Sequence, residues 1–139
     1  MTLTAILERL KEATGPDATL DADIHLALFP DMLGINSGFE GVPLREAARR
    51  YREDDPEYWP VVTHTYDMTA ITASIDAALG LVERLGFTIH TAHHGKSFWS
   101  VDVCVPDNAM LAEEGDGPTF PLAILTALVT ALIARKEQQ

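Results

Sequence analysis

One stretch, Thr72 to Val105, constrains this chain more than any other: an amphipathic helix that runs directly into a two-stranded hairpin. Ile75, Ala78, Leu79, Val82 and Leu85 recur at the spacing of a single apolar helix face. Gly86 ends the helix. Phe87, Ile89 and Thr91 then alternate with Thr88 and His90, and beyond His94-Gly95-Lys96 the run Trp99, Val101, Val103 alternates with Ser100 and Asp102. A two-residue His94-Gly95 turn would mix the two faces. The three-residue loop His94-Gly95-Lys96 instead sets Ile89 opposite Val101, Phe87 opposite Val103 and His90 opposite Ser100. A slip of one residue would expose the whole apolar set, so the pattern selects the odd loop.

The rest of the chain supplies layers for this hairpin. Residues 4–13 form a short helix with Ile6, Leu7 and Leu10 inward, broken at Gly15-Pro16. Thr19 caps a second helix with Leu20, Ile24, Ala27 and Leu28 on its buried face, and Asp21 and Asp23 suit the positive end of its dipole. Residues 31–67 are the least regular. Within them, 44–52 make a short helix with Arg45, Arg49 and Arg52 along one stripe, and 59–66 read as an edge strand with Pro60 at its start. Residues 107–116 read as a polar acidic linker. The last helix opens at Pro118-Thr119-Phe120-Pro121 and runs to Arg135-Lys136. It is apolar over so much of its surface that it belongs in the core or in an interface with another subunit, and a homo-oligomer is expected. The fold expected is α+β: one α/β/α sandwich domain over 1–139, a small antiparallel sheet of hairpin plus edge strand with helices on both faces.

The formal charge of −11 excludes a class of partner. Phosphate neutralisation supplies most of the affinity of a nucleic-acid polymer binder, and ten Lys and Arg against twenty-one Asp and Glu do not provide it. A small anion needs only a few local cations. The uncharged run 117–134 carries prolines and threonines and falls short of a membrane span, so no membrane partner is expected. Met1-Thr2-Leu3-Thr4 has no signal-peptide character, and the single Cys104 fits a reducing cytoplasm.

Three segments resemble the phage ABA-sandwich domain family of small phage and prophage proteins. They are Ala13-Thr14-Gly15-Pro16-Asp17 with Leu20-Asp21-Ala22-Asp23-Ile24, then Thr72-Ala73-Ser74-Ile75-Asp76-Ala77-Ala78-Leu79, and Thr119-Phe120-Pro121-Leu122-Ala123-Ile124. The resemblance implies an α/β/α layering, a viral or prophage origin in the cytoplasm of a host bacterium, and no established catalytic residue.

The candidate sites each have a plain alternative. His90, His93 and His94 do not match a zinc spacing and read as solvated residues of the hairpin. Cys104 sits mid-strand as a structural thiol, and Asp76 and Glu83 lie on a solvated helix face. Thr72, Ser74 and the Gly117–Thr119 segment are either helix caps or anion donors. Arg45, Arg49 and Arg52 either pair with nearby carboxylates or bind an anion, with Tyr58, Trp59 and Tyr66 available to stack on a base. Lys96 at the hairpin tip is a weaker cation. No cofactor, no metal and no catalytic residue is expected. The reading is a non-enzymatic phage accessory protein that binds and sequesters a small anionic, nucleotide-derived ligand through Arg45, Arg49, Arg52, Tyr58, Trp59 and Tyr66. The alternatives are an acidic protein-binding or DNA-mimicking inhibitor and, third, a small hydrolase using His90 or His93 with Asp102.

Overall fold

Thr2 opens the first helix by accepting a hydrogen bond from the Ala5 N–H at 3.1 Å. The computed structural model describes residues 2–35, 39–52, 66, 68–105 and 108–137. Backbone contacts divide the chain into two compact units, residues 18–69 and residues 2–17 with 70–139. The class is α+β: helices α1 (Leu3–Glu12), α2 (Ala18–Leu28), α3 (Leu44–Arg52), α4 (Ile75–Arg84) and α5 (Phe120–Glu137), and a three-stranded antiparallel sheet on which helices pack.

The larger unit holds α1, α4, α5 and the sheet. Its strands are β1 (Thr88–His94), β2 (Trp99–Val105) and β3 (Asn108–Gly117), in the order β1-β2-β3. β3 corrects the expectation of a polar linker at 107–116. Its alternation is hidden because two of its positions on the α5 side are glycines, Gly115 opposite Val101 and Gly117 opposite Trp99, and a third, opposite Val103, is Glu113. A Cβ on Gly117 would stand 2.9 Å from the Ala123 nitrogen, so helix and strand meet backbone to backbone. The edge strand expected at 59–66 falls, apart from Tyr66, outside the described residues.

The hairpin register also differs from expectation. His94 pairs with Trp99, Ala92 with Val101 and Ile89 with Val103, so the connection is the four-residue Gly95–Phe98. A bulge between Ile89 and Thr91 supplies the extra residue that an odd loop would otherwise provide. Either device sets the apolar residues on one face. The chain uses the bulge, which leaves His90 as the inserted residue.

α5 is enclosed within one chain over its first two and a half turns, Pro121 to Val129. Pro121 through Val129 are buried without interruption, with β2 and β3 on one side and α1 and α4 packing elsewhere on its surface. The expected need for a second subunit to cover this helix therefore does not arise. Its buried hydroxyl, Thr126, donates to the Leu122 carbonyl at 2.8 Å. Ile6 and Leu10 seat α1, and Ala78, Leu81 and Val82 seat α4. Ile75, expected inward, is 44% exposed, because α4 presents Leu81 instead. Phe87 is buried, and the Arg135 guanidinium lies over its ring at 4.5 Å. Among the described residues no helix is long and apolar enough to cross a membrane.

The smaller unit packs α2 against α3. Ala22, Leu44, Ala47, Ala48 and Tyr66 form its core, with Leu26, Met32, Phe39, Val42 and Met68 around them. α2 is buried continuously from Leu20 to His25, so Asp21, in the first turn at the positive end of the dipole, and Asp23 lie inside.

Candidate functional site

All four cations of residues 18–69 lie on α3: Arg45, Arg49, Arg50 and Arg52. The structure gives three of them carboxylate partners. Arg45 pairs with Asp31. Arg49 donates to both Glu46 oxygens at 2.9 Å, and Arg50 approaches the same carboxylate at 3.6 Å. The hydrogen bond from Arg49, then its charge, with Arg50 adding, hold the Glu46 carboxyl below its usual range. These are exposed pairs on a helix surface, the arrangement of a solvated, salt-bridged stripe. Tyr66 is not available for stacking. Its ring is buried against Phe39 at 5.9 Å, and its hydroxyl donates to the Val42 carbonyl at 2.9 Å. Tyr58, Trp59 and the Arg52 side chain lie outside the described residues.

The helix starts serve as caps. Ser74 accepts from the Ala77 N–H at 3.2 Å, and Thr119 accepts from Leu122 at 3.3 Å. Thr72 acts differently. Its hydroxyl accepts from the Asp17 N–H at 2.8 Å, tying the end of the α1 segment to the entry of α4.

An aromatic stack that local sequence patterns do not assemble stands at the hairpin tip. Antiparallel ladders bring non-hydrogen-bonded cross-strand pairs closest together. His94 and Trp99 are such a pair, because Gly95 donates to the Phe98 carbonyl one step nearer the turn. Their rings stack at 4.7 Å, and Trp99 stacks in turn on Phe120 at 4.5 Å and 14°. Trp99 and Phe120 are half-buried, His94 is exposed and Phe98 is 45% exposed. His94 ends the stack, so its outer ring face points away from Trp99. Phe120 is the first residue of α5, which sets the stack at that helix's positive end. Residues 85–101 contain no Asp or Glu and one cation, Lys96. In a chain of net charge −11 this is a long carboxylate-free run. The signal in the sequence was the clustering of Phe98, Trp99 and Phe120 at the ends of two elements.

The opposite face of the sheet is polar. Ser100 donates to Glu114 at 2.7 Å and Thr91 to Asp102 at 2.6 Å, with Asp116 beside them across from Ser100. Cys104 is buried, with Thr88 Oγ1 at 3.6 Å from its sulfur. His90 and Asp102 are not cross-strand partners, since Thr91 opposes Asp102. Among the described residues no three His, Cys, Asp or Glu side chains gather as a metal-ligand set.

One buried imidazole carries no signal in the sequence pattern. His25 lies 2.7 Å through Nδ1 from the Asp21 carbonyl, which can only accept, so Nδ1 carries the proton and Nε2 accepts from the Thr69 N–H at 3.4 Å. Both ring nitrogens are engaged in holding the segment at Thr69 to α2.

Comparison with family models, with curated proteins and with solved structures finds no match to this chain.

Proposed function

We propose that this protein acts by binding and sequestering a small, planar, anionic ligand of nucleotide type, without converting it. The observation that carries this reading is the exposed end of the His94–Trp99–Phe120 stack on a carboxylate-free hairpin that bears Lys96. A base stacks on an aromatic face for about 1–3 kcal/mol. Its phosphate gains where local donors outweigh the global negative field, which salt screens beyond about 8–10 Å. The base extends the stack on the exposed outer face of His94. The resemblance to the phage ABA-sandwich family supports an accessory role in an infected bacterial cell, and removal of a nucleotide signal is the activity that fits a binder without catalysis.

Trp99 itself is the reporter. In a Trp59→Phe background, titration with nucleoside monophosphates and cyclic dinucleotides should quench Trp99 fluorescence saturably. Mass spectrometry should then recover the nucleotide intact. Turnover would replace sequestration by catalysis, and an unchanged spectrum to millimolar ligand would end the proposal.

A second reading, an acidic inhibitor of a nucleic-acid-binding protein, is favoured by the polar sheet face. There Asp102, Glu114 and Asp116 stand together, and β1, β2 and β3 contain no Lys or Arg. It predicts capture of a basic partner that Glu114→Gln and Asp116→Asn release and that Trp99 substitution leaves intact.

A further inference from the structure

We infer that the outer edge of β1, unpaired among the described residues, is the self-association surface of this protein, pairing antiparallel with β1 of a second copy about a two-fold axis at His93. The inference is independent of the ligand proposed above. β2 is the central strand, so β1 and β3 are the two edges of the sheet among the described residues. The edges differ in charge. β3 carries Glu113, Glu114 and Asp116, which repel an identical strand and guard that edge. β1, Thr-Ile-His-Thr-Ala-His-His, contains no carboxylate, Lys or Arg, and its side chains are exposed at every position except the half-buried Ile89. In a chain of charge −11, most ways of bringing two copies together oppose like charges. The β1 edge does not.

The register follows from the ladder. Gly95 donates to the Phe98 carbonyl at 2.8 Å, which places that pair in a hydrogen-bonded site. Hydrogen-bonded and non-hydrogen-bonded pairs alternate along an antiparallel ladder. The His93–Ser100 pair is therefore turned inward, and the N–H and C=O groups of Ala92 and His94 point away from β2. The bulge between Ile89 and Thr91 interrupts the edge beyond that. One symmetric arrangement uses all four outward groups. Ala92 exchanges both hydrogen bonds with His94 of the second copy, His94 does the same with Ala92, and the two His93 side chains face each other on the polar side. An isologous contact of this kind closes at two chains. It joins the three described strands of each copy into one continuous sheet.

The test is sedimentation velocity on the full chain. The wild type at tens of micromolar should run at twice the 15.2 kDa chain mass. Ala92→Pro removes an outward donor and leaves the β1–β2 ladder untouched, because its N–H does not face β2. His93→Lys is exposed, sets two ammonium groups across the axis, and meets carboxylates on its own face. Both variants should sediment as monomers with the wild-type melting temperature. Should Ala92→Pro fail to fold, His93→Lys decides by itself. A wild-type monomer up to several hundred micromolar overturns the inference, as does a dimer that survives His93→Lys.

Discussion

Gly115 sits so close to Ala127 that a Cβ built on it would stand 2.1 Å from the Ala127 backbone nitrogen. No side-chain rotation relieves that contact, because the obstacle is main chain on a helix that is buried all round. Gly115→Ala should therefore push α5 away from β3 and destabilise the fold by at least about 3 kcal/mol. Gly80 makes the opposite prediction. It lies exposed inside α4 with nothing within 4 Å of its Cβ position. Gly80→Ala should raise stability by about 0.5–1 kcal/mol, since alanine restricts the unfolded chain and suits the helix. Urea melts of the two variants should move in opposite directions. A tolerated Gly115→Ala would mean that helix and strand do not meet there.

The same contact explains what was legible in the sequence. Helices α1, α2, α4 and α5 follow from caps, breaks and apolar spacing, because each buries side chains against something, and α3 follows from its arginine stripe. β3 does not follow, because a strand that packs through its backbone has no apolar alternation to read. The hairpin was legible as a hairpin, yet its register was not: a four-residue loop plus a bulge, and a three-residue loop without one, both gather the apolar residues on one face. The arginines of α3 are visible as a stripe and Glu46 as a neighbouring carboxylate for Arg49 and Arg50, whereas Arg45's partner Asp31 is remote in sequence. The aromatic stack depends on Phe120 meeting Trp99, a contact between two elements that no local pattern encodes.

His25 should prove structural. Its ring bridges the Asp21 carbonyl and the Thr69 N–H inside α2's buried stretch. His25→Ala removes both contacts and leaves a hole, at a cost of about 2–3 kcal/mol. The exposed His90, in the bulge, should cost under about 0.5 kcal/mol when truncated. Chemical denaturation of the two single variants measures the contrast, and equal losses would show that the His25 contacts contribute nothing.

Glu46 gives a pH prediction whose sign is fixed by its partners. Arg49 and Arg50 hold its carboxyl below the usual glutamate range in the folded chain. A depressed folded value contributes stability above the unfolded value, and that contribution fades as pH falls through the folded one. The group is exposed, so the effect is small and screened by salt. Glu46→Gln should melt slightly below the wild type at neutral pH and low salt. The difference should vanish either below the glutamate range or in molar salt. A gap that persists under both conditions would assign Glu46 a role other than ion pairing.

The hairpin stack and the α3 arginines respond to different substitutions. If the hairpin stack holds the ligand, Trp99→Ala removes the platform and His94→Ala removes its outer ring, while Lys96→Ala removes the nearest cation. Trp99 is half-buried between His94 and Phe120, so its truncation also costs stability, about 2–3 kcal/mol. For that reason His94→Ala and Lys96→Ala, both at exposed positions, are the cleaner variants. Each should weaken binding of the best nucleotide about tenfold, the loss of one stacking or one charge-assisted contact, with the melting temperature unchanged. The triple variant Arg45→Ala, Arg49→Ala, Arg52→Ala should bind with wild-type affinity, because the guanidinium groups of Arg45 and Arg49 are already paired with Asp31 and Glu46. Calorimetry with one nucleotide across the four proteins gives the answer. Lost binding in the arginine triple, with the tip variants unaffected, would move the site to α3 and leave the stack without a ligand.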